Sequence, residues 1–570
     1  MLIILLLFVH STSYATDESE ISEVAASQEW LKLLHYNRIE KAEFYLGSGG
    51  INSSLVELRA NLEQLKSNPQ YSCEFPARAK LLREKFKIAA PLCPQVENWK
   101  SKMGRHSSLS LVYVSQYVSN PASAFGHTFL LFKNSKEPLN LNVTISNAAS
   151  MPEDVSNFAY IFKGITGGFP AEFSTESFYL KIQEYSNIEN RDMWIYDLNF
   201  SEQQIDQLLN HIWELSKRAD QGYFFLNGNC SVNSYNALAA VHSDLDFLPT
   251  GRIYVLPIET IVKAHAITQN IEYLPSLREK MFLRSQALSS AENQSFQSII
   301  ANSEPPSLTK SIEVAELTLE NFELLRSRQY GTLTTSQDQA YKEALLNRAE
   351  LGISSKLKIP RPAEPHHALP STRIAASGGS IREQSFYALS AAPFYHGLLD
   401  SSPGYRPFSE LILLNSTIRT MNHENKLDLT ALQMANFPVI TVFDSQWSWR
   451  LSLGIKSQEL CNQCWLFNGE GSAGKSLTLT SNSQVFGLFG LSQEQTSSLG
   501  PQLSAGILAN FSFAKLLSQF RLLHPKFNAE SRHILDVSMN FDVDRNTVFE
   551  IAGHLEKEDF NYQMTLGYHF

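Results

Sequence analysis

The C-terminal third of the chain alternates apolar and polar residues in segments of roughly ten residues, and no other feature constrains the fold as strongly. Phe443–Ile455, Leu535–Val543 and Phe560–Phe570 are three of about twelve such segments, which are separated by turns rich in Gly, Asn, Asp and Ser. Strands with one apolar and one polar face, long enough to cross a bilayer, are typical of transmembrane β-barrels. A soluble β-sandwich also alternates, but the terminal Phe570 and the signal for export favour the barrel. We therefore predict an antiparallel transmembrane β-barrel of about twelve strands over residues 373–570.

The start of the chain predicts a signal peptide over residues 1–15. An apolar core at Met1–Val9 is followed by Ser13-Tyr14-Ala15, which places small residues at the cleavage site. Beyond this segment, no run of about 18 apolar residues predicts a membrane-spanning helix. The formal net charge of −10 argues against nucleic acid as a partner. We expect an outer-membrane protein of a Gram-negative-type bacterium, with its N-terminal domain in the periplasm.

Export permits disulfide bonds, so the cysteines are considered first as pairs. The five cysteines are Cys73, Cys93, Cys230, Cys461 and Cys464. Cys73 with Cys93, and Cys461 with Cys464, are the disulfide candidates, and Cys230 remains as a free thiol. The spacing of Cys461 and Cys464 also suits a metal or redox pair, but no second pair or histidine cluster accompanies it. We predict no metal site and no cofactor.

The segments between signal peptide and barrel differ in periodicity. Helical spacing of apolar residues predicts a helical accessory domain at residues 16–100 and a helical extension at residues 261–358. Residues 101–260 mix strand and helix patterns and predict an α+β domain. The Pro-rich residues 359–372 predict a linker. The neighbouring His366 and His367 could bind a metal weakly, but we interpret them as solvated. The fold class is therefore multidomain, α+β followed by all-β.

Cys230 lies in a context that favours a reactive thiol. The turn Asn227-Gly228-Asn229 precedes a run with helical spacing, so Cys230 falls in the first turn of a helix. Unpaired backbone N–H groups and the helix dipole favour a thiolate there. The same N–H groups, with Asn229 and Ser231 in support, are suited to stabilise an oxyanion. The alternative is a small buried residue beneath the start of the helix.

His127 and Asn147 are candidate partners of this thiol. His127 follows Gly126 and opens a compact apolar strand, and Asn147 lies at the end of the next strand. A base on one strand, an orienting amide on the next and a nucleophile at a later helix start form a Cys–His–polar catalytic group. A structural histidine at a strand start is the alternative.

The string Gly469–Ser476 matches the P-loop pattern, but its context differs from a P-loop. A P-loop lies between a strand and a helix, whereas Leu477–Thr480 continues an alternating strand. We interpret the string as a hairpin loop and predict no nucleotide partner.

Five stretches between residues 100 and 260 carry a family resemblance. They are Pro121–Leu130, Ser146–Ala149, Gly167–Phe173, Glu189–Trp194 and Asn229-Cys230-Ser231. These stretches resemble the Lnb-type periplasmic domain, named after bacterial lipoprotein N-acyltransferases that make lyso-form lipoproteins. Their order is also similar to that of permuted papain-like enzymes, such as NlpC-related peptidases and lecithin retinol acyltransferase. The resemblance implies a permuted papain-like α+β fold, with Cys230 as nucleophile, His127 as its base and Asn147 as the orienting residue.

The Lnb-type acyltransferases are anchored by transmembrane helices, whereas this chain is predicted to carry a barrel. With the resemblance, we expect a thiol hydrolase or acyltransferase that acts on acyl or amide bonds at the periplasmic face of the membrane. Lipid or lipoprotein acyl groups are the expected substrates; outer-membrane lipid, lipoproteins or peptidoglycan are the expected partners. Three alternatives stay open: a peptidoglycan amidase, a non-catalytic barrel whose periplasmic domain binds or scaffolds, and transport through the barrel.

Overall fold

The computed structural model describes most of the chain. The described residues are 18–35, 42–47, 53–89, 91–118, 123–150, 156–219, 222–301, 305–329, 331–352, 354–401, 403–438, 446–457, 465–480, 482–493, 499–524 and 531–570. The predicted signal peptide, residues 1–15, and the disulfide candidates Cys461 and Cys464 lie outside the described residues.

Six α-helices lead the described part of the chain. They are α1 (Glu18–Ala26), α2 (Gln28–Leu33), α3 (Ser54–Ser67), α4 (Tyr71–Glu74), α5 (Pro76–Phe86) and α6 (Pro94–Met103). Trp30, Leu58 and Leu82 are fully buried in a core that continues into the domain that follows. A disulfide joins Cys73 of α4 to Cys93, the residue before α6.

A seven-stranded antiparallel sheet forms the centre of the next domain. Its strands are β1 (Ser108–Val114), β2 (His127–Lys133), β3 (Val143–Ala149), β4 (Phe169–Ser177), β5 (Met193–Leu198), β6 (Gly222–Tyr223) and β7 (Thr268–Leu274), in the spatial order β6-β4-β3-β2-β1-β5-β7. The helices of this domain are α7 (Asn157–Thr166), α8 (Phe178–Lys181), α9 (Glu202–Glu214), α10 (Cys230–Val241) and α11 (Pro257–Ala264), with π-helical turns at Ile182–Ile188 and Leu215–Ala219. Short 3₁₀ turns lie at Leu139–Leu141 and His265–Ile267. This domain is α+β, as predicted.

A buried group of charges joins the N-terminal helices to α9. Nη1 of Arg78 lies 3.1 Å from Oε1 of Glu57, and its Nε lies 3.5 Å from Oε2 of Glu214. All three side chains are inaccessible to solvent. The rings of Phe44 and Phe75 lie against the guanidinium group, 4.3 and 4.6 Å from its carbon. One guanidinium group therefore faces two carboxyl groups.

β7 departs from the sequence-based expectation. It lies within residues 261–358, which were predicted as a helical extension, yet it pairs with β5 at the edge of the sheet. Ile271 and Tyr273 are partly buried, whereas Asn270 and Glu272 between and beside them are exposed. The strand is short, so its two-residue period is hard to distinguish among the helical patterns around it.

Four helices follow β7 and form a small core of their own. They are α12 (Leu277–Ala287), α13 (Ser290–Ile300), α14 (Ile312–Arg328) and α15 (Thr335–Glu350). Met281, Phe296 and Leu317 are fully buried between them. Across the part of the chain that the structure describes, no helix combines the length and the apolarity needed to cross a bilayer.

The C-terminal strands close into a twelve-stranded antiparallel β-barrel, as the alternating pattern predicted. The described strands are β8 (Arg373–Ile381), β9 (Gln384–Ala392), β10 (Phe394–His396), β11 (Ser409–Met421), β12 (Glu424–Asn436), β13 (Ser448–Ser457), β14 (Trp465–Thr480), β15 (Ser483–Gln493), β16 (Gly500–Asn510), β17 (Lys515–Leu523), β18 (Arg532–Asp542), β19 (Thr547–Glu556) and β20 (Asp559–His569). β9 and β10 both pair with β11 on either side of Pro393, so they form one interrupted strand. β20 pairs with β8, which closes the barrel.

The outer surface of the barrel is apolar. On β15, Phe489 and Leu491 are exposed, whereas Phe486 and Leu488 point to the lumen and are buried. Exposed large apolar side chains recur around the barrel, at Tyr387, Leu389, Leu414, Ile418, Leu427, Phe467, Leu477, Leu503, Phe520, Leu535, Ile551, Phe560, Met564 and Leu566. Lipid contact explains such exposure in a stable strand.

The described residues of the connection between β10 and β11, 397–401 and 403–408, fold into the lumen, and we call them the lumen plug. Leu398, Leu399 and Phe408 are buried in an apolar cluster with Phe486 and Leu488 of β15. Gly397, Leu398 and Leu399 form the floor of a cavity of about 920 Å³ inside the barrel. The plug therefore separates this cavity from the end of the barrel that carries the N-terminal domain.

The cavity extends to the turns at the opposite end of the barrel, where Arg382 and Lys557 line it. Its walls carry charges of both signs, several of them paired. Arg521 Nε lies 2.6 Å from Asp536, and Arg532 Nε lies 2.6 Å from Glu556. A polar lumen within an apolar outer surface is typical of an outer-membrane barrel.

The string Gly469–Ser476 lies inside β14 and not in a hairpin loop. It pairs with β13 on one side and β15 on the other. A Cβ atom at Gly474 would collide with the carbonyl oxygen of Gly487 on β15. The small residues that imitate a P-loop therefore serve the close approach of neighbouring strands.

Candidate active site

α10 places Cys230 at its first residue. The Oδ1 atom of Asn229 accepts hydrogen bonds from the N–H groups of Ser231 (3.1 Å) and Val232 (3.2 Å). The Nδ2 atom of Asn229 donates to the carbonyl of Val255 (2.9 Å). Asn229 and Ser231 therefore hold the start of the helix, and Asn229 occupies two N–H groups that the sequence pattern assigned to an oxyanion site.

The sulfur of Cys230 is enclosed, with hydrogen-bond donors on one side. Cys230 is 3% exposed and packs with Phe169, Tyr223 and Phe225. The N–H groups of Thr128 and Ser231 and the hydroxyl of Tyr223 face the sulfur as donors. The N–H of Cys230 in turn donates to the Tyr223 hydroxyl oxygen over 3.3 Å. Tyr223 therefore contacts both the sulfur and the amide beside it.

Burial decides the protonation of the thiol. It raises the pKa of Cys230 above the ordinary thiol value, although the hydrogen bonds from Thr128 and Tyr223 and the charge of Arg191 act in the opposite direction. The position at a helix N-terminus predicted a thiolate; the enclosed sulfur is a thiol at neutral pH.

His127 begins β2, opposite Val114 of β1. Its ring lies 5.7 Å from that of Tyr185 and 6.3 Å from that of Phe129, centre to centre. Burial and the nearby Arg191 and Lys181 lower the pKa of His127 to about 3, so its imidazole is neutral at physiological pH. In the described structure no hydrogen bond joins His127 to Cys230. The link is the backbone, because the sulfur accepts the N–H of Thr128, the next residue.

Arg191 and Tyr185 complete the surroundings of these two groups. Arg191 is 1% exposed, and its guanidinium group donates to the carbonyls of Val114 and Ser115 and to Glu189. The guanidinium carbon lies 5.1 Å from the centre of the Tyr185 ring. Arg191 thus holds a fixed positive charge beside the end of β1, where it influences the pKa of both Cys230 and His127.

Asn147 lies on β3 and contacts α10. Its Oδ1 atom accepts a hydrogen bond of 2.8 Å from Nδ2 of Asn233, one turn after Cys230. Asn147 is 1% exposed. This bond joins α10 to the sheet, so in this structure Asn147 lies near the site and anchors α10.

The site contains residues that the sequence analysis did not identify. Tyr223 lies on the two-residue strand β6, seven positions before Cys230, and the aromatic run around it was the available signal. Arg191 lies within a stretch that carried the family resemblance, but no role was assigned to it. Tyr185 lies in a π-helical turn, a feature that no spacing rule revealed.

α7 covers the apolar wall of the site with one face. Its Tyr160 ring lies 5.1 Å from the Phe225 ring, and Phe225 fills the space where a side chain at Gly164 would lie. On the outer face of α7, Phe162 is 60% exposed and Ile165 is 51% exposed. The helix that covers the apolar wall around the thiol therefore carries an exposed apolar face on its other side.

Residues 95–264 match the family of the Lnb N-terminal periplasmic domain. Residues 362–569 and 22–85 match two further families, each described as a domain of unknown function (DUF7840 and DUF7843). None of the curated proteins compared with the chain is similar to it in sequence.

Solved structures similar to the barrel include the KdgM porin, with 12% identity and a TM-score of 0.25 over 35% of this chain and 99% of that one. The NanC porin has 9% identity and a TM-score of 0.24 over 35% of this chain and all of that one. Omp33 of Acinetobacter baumannii has 6% identity and a TM-score of 0.22 over 35% of this chain and 98% of that one. The barrel is established by its own strand pairing rather than by these low scores.

The chain therefore combines an Lnb-type periplasmic domain with a closed barrel whose outer surface suits lipid. It is an outer-membrane protein with its N-terminal domain in the periplasm.

Proposed function

We propose that the Lnb-type domain is a cysteine-dependent hydrolase or acyltransferase that acts on lipid or lipoprotein acyl groups at the periplasmic face of the outer membrane. The observation that carries this proposal is the free thiol of Cys230, which lies at a helix start with Thr128 and Tyr223 as donors. The neutral imidazole of His127 is available on the adjoining strand. These are a nucleophile, hydrogen-bond donors and a proton acceptor.

The proposed reaction passes through a thioester. The sulfur of Cys230 attacks the acyl carbonyl carbon, and its proton passes to His127. The N–H of Cys230 and the hydroxyl of Tyr223 donate to the oxyanion that forms. The bond between the carbonyl carbon and the leaving oxygen or nitrogen then breaks, and His127 returns the proton to that atom. Water releases the acyl group as an acid, whereas an amine accepts it as an amide.

Two features favour an acyl chain as substrate. α7 covers the apolar wall around the thiol and presents Phe162 and Ile165 to solvent on its other side, and an acyl chain suits such an apolar surface. The domain also contacts the barrel directly, through Phe125 against Phe394 at 5.0 Å and a hydrogen bond from Gln116 to Ser409. The thiol is therefore held near the membrane. A peptidoglycan amide lacks an acyl chain for the α7 face and is the second candidate.

The test is turnover by the full chain in lipid nanodiscs that contain a diacylglyceryl lipopeptide. We expect mass spectrometry to detect the lyso-lipopeptide and an acyl adduct on Cys230. Cys230→Ala should abolish both, and His127→Ala should slow turnover by about 10²- to 10⁴-fold, the usual contribution of a general base.

His423→Ala, in an exposed barrel turn, is the control and should behave as the wild type. Product formation that survives Cys230→Ala would contradict the proposal. Cleavage of a muropeptide instead of the lipopeptide would favour the amidase. A chain that acts on neither substrate would favour the scaffold alternative.

A further inference from the structure

The turn that joins the periplasmic domain to the barrel brings together three side chains of the kinds that commonly bind metal ions. Pro365 begins a 3₁₀ turn, and the ligand atoms of Glu364, His366 and His367 lie within 4.8 Å of one another. Oε2 of Glu364 lies 3.5 Å from Nε2 of His366 and 4.0 Å from Nε2 of His367. Two ligands of a tetrahedral Zn²⁺ ion, each about 2.05 Å from it, lie about 3.3 Å apart. Small side-chain rotations would therefore bring the three ligand atoms to the separations that a tetrahedral ion requires.

Neighbouring residues hold His366 and Glu364 so that their free ligand atoms face each other. Nδ1 of His366 lies 3.3 Å from the hydroxyl of Tyr196 on β5, which leaves its Nε2 facing Glu364. The ring of His265 stacks on that of His366, 3.8 Å between centres and 18° from parallel. Arg361 bonds to Oε1 of Glu364, so Oε2 remains toward the histidines. In known metal sites, hydrogen bonds of this kind fix the orientation of the histidine and carboxylate ligands.

The burial of the turn distinguishes it from a solvated linker. His366 is 5% exposed, whereas His367 is exposed and can move toward an ion. Pro365 lies against Gly404 of the lumen plug, where a Cβ atom would collide with its ring atoms. Arg545, in the turn between β18 and β19, donates to the carbonyl of His366 over 3.1 Å. The turn thus contacts both the periplasmic domain and the barrel.

We propose that Glu364, His366 and His367 bind a divalent transition-metal ion of the Zn²⁺ class, with water as the fourth ligand. Two imidazoles and a carboxylate suit Zn²⁺ and its neighbours Co²⁺, Ni²⁺ and Cu²⁺, and do not suit Mg²⁺ or Ca²⁺. The sequence analysis predicted no metal here, because the pattern alone does not show that the histidines are held against β5. The ion would fix the joint between the two domains, independently of chemistry at Cys230.

The experiment is Zn²⁺ titration of the untagged full chain in detergent, by calorimetry and by metal analysis after dialysis. We expect one ion per chain. His367→Ala and His366→Ala should each weaken binding at least 100-fold, and Tyr196→Phe by about 10-fold, the lower end for loss of an outer contact. Co²⁺ should give visible absorption that these variants lose.

His423→Ala, with an exposed histidine in a barrel turn, is the matched control and should keep full binding. His367 is exposed, so its variant tests the site even if His366→Ala fails to fold. Less than one ion per chain at saturation, or unchanged binding by His367→Ala, would overturn the proposal.

Discussion

Cys230 and His127 are both neutral near pH 7, and burial is the main cause for both, although it shifts their pKa values in opposite directions. Desolvation disfavours the thiolate and so raises the thiol pKa, and it disfavours the imidazolium and so lowers the imidazole pKa to about 3. Arg191 favours the thiolate but disfavours the imidazolium. A preformed ion pair is therefore not the resting state, and in the proposed reaction proton transfer would accompany attack on the substrate.

Alkylation of Cys230 measures this directly. In the full chain with Cys461→Ser and Cys464→Ser, we expect iodoacetamide to react with an apparent pKa above the ~8.5 of an exposed thiol. Tyr223→Phe removes a donor to the sulfur and therefore raises the pKa of the thiol further. Rates between pH 6 and 10.5, followed by mass spectrometry, give both values.

Tyr179→Phe, which changes an exposed tyrosine, is the matched control and should leave the alkylation profile unchanged. A thiol that titrates below ~8.5, and returns to that value in His127→Ala, would show a preformed thiolate–imidazolium pair instead.

The sequence identified only those site residues whose position follows from local structure. Asn229 and Cys230 follow from a turn and a helix start, and the structure places them there. Tyr223 and Arg191 reach the sulfur through the tertiary fold, so no spacing rule finds them. The helix start suggested a low thiol pKa, but burial, a property of the whole domain, has the larger effect.

At the scale of elements, α7 packs against the site with one face and exposes the other face to solvent. Its apolar outer face suggests that it receives substrates embedded in a bilayer. We expect Phe162→Ser with Ile165→Ser to lower turnover of the lipopeptide in nanodiscs by about 10-fold or more, because each lost apolar contact contributes about 1.5–3 kcal/mol at full burial. Hydrolysis of a short soluble ester should change less than about two-fold.

The matched control for α7 is Leu345→Ser with Leu346→Ser on α15, which also removes two exposed apolar side chains. Equal losses on both substrates, or in both double variants, would show that the α7 face has no role in substrate capture.

The buried contact between α5 and α9 predicts a dependence on pH. Burial raises the pKa of Glu214 to about 7 despite the opposing charge of Arg78. The folded protein thus holds this proton more tightly than the unfolded chain, so the stabilisation is complete below about pH 4.5 and is lost as pH rises through 7. Relative to Glu214→Gln, the wild type should lose roughly 3 kcal/mol between pH 4.5 and 8.

Thermal denaturation of the full chain in detergent at several pH values measures this difference. Glu202→Gln, at the exposed start of α9, should retain the wild-type profile. A Glu214→Gln profile parallel to that of the wild type would contradict the raised pKa.

Element prediction succeeded where a pattern repeats and failed where it is short. A two-residue period recurs in strand after strand of the C-terminal region, so the barrel was predictable together with its approximate strand number. β7 is a single short strand between helices, so its alternation is hard to recognise. The small residues of β14 resemble a loop unless the strands that pair with them are known. Strand pairing, rather than composition, decides both cases.

At the scale of the whole molecule, the periplasmic domain and the lumen plug lie at the same end of the barrel. Phe125 and Gln116 of the domain contact Phe394 and Ser409, which flank the plug. The C-terminal residue Phe570 donates its N–H to Thr372 at this end, over 3.0 Å. The cavity above the plug opens on the other side of the membrane and is separated from the periplasmic site.

The plug therefore predicts a closed barrel. We expect the full chain in planar lipid bilayers to show no steady conductance, because Leu398, Leu399 and Phe408 fill the lumen against β15. Replacing residues 398–407 by a short Gly–Ser loop should open a path through the polar cavity and produce stable conductance steps. A Gly–Ser replacement of the exposed turn residues 511–513 is the control and should leave the barrel closed. Heat-modifiable gel mobility shows that each variant folds, and a wild type that conducts as well as the plug variant would contradict closure by the plug.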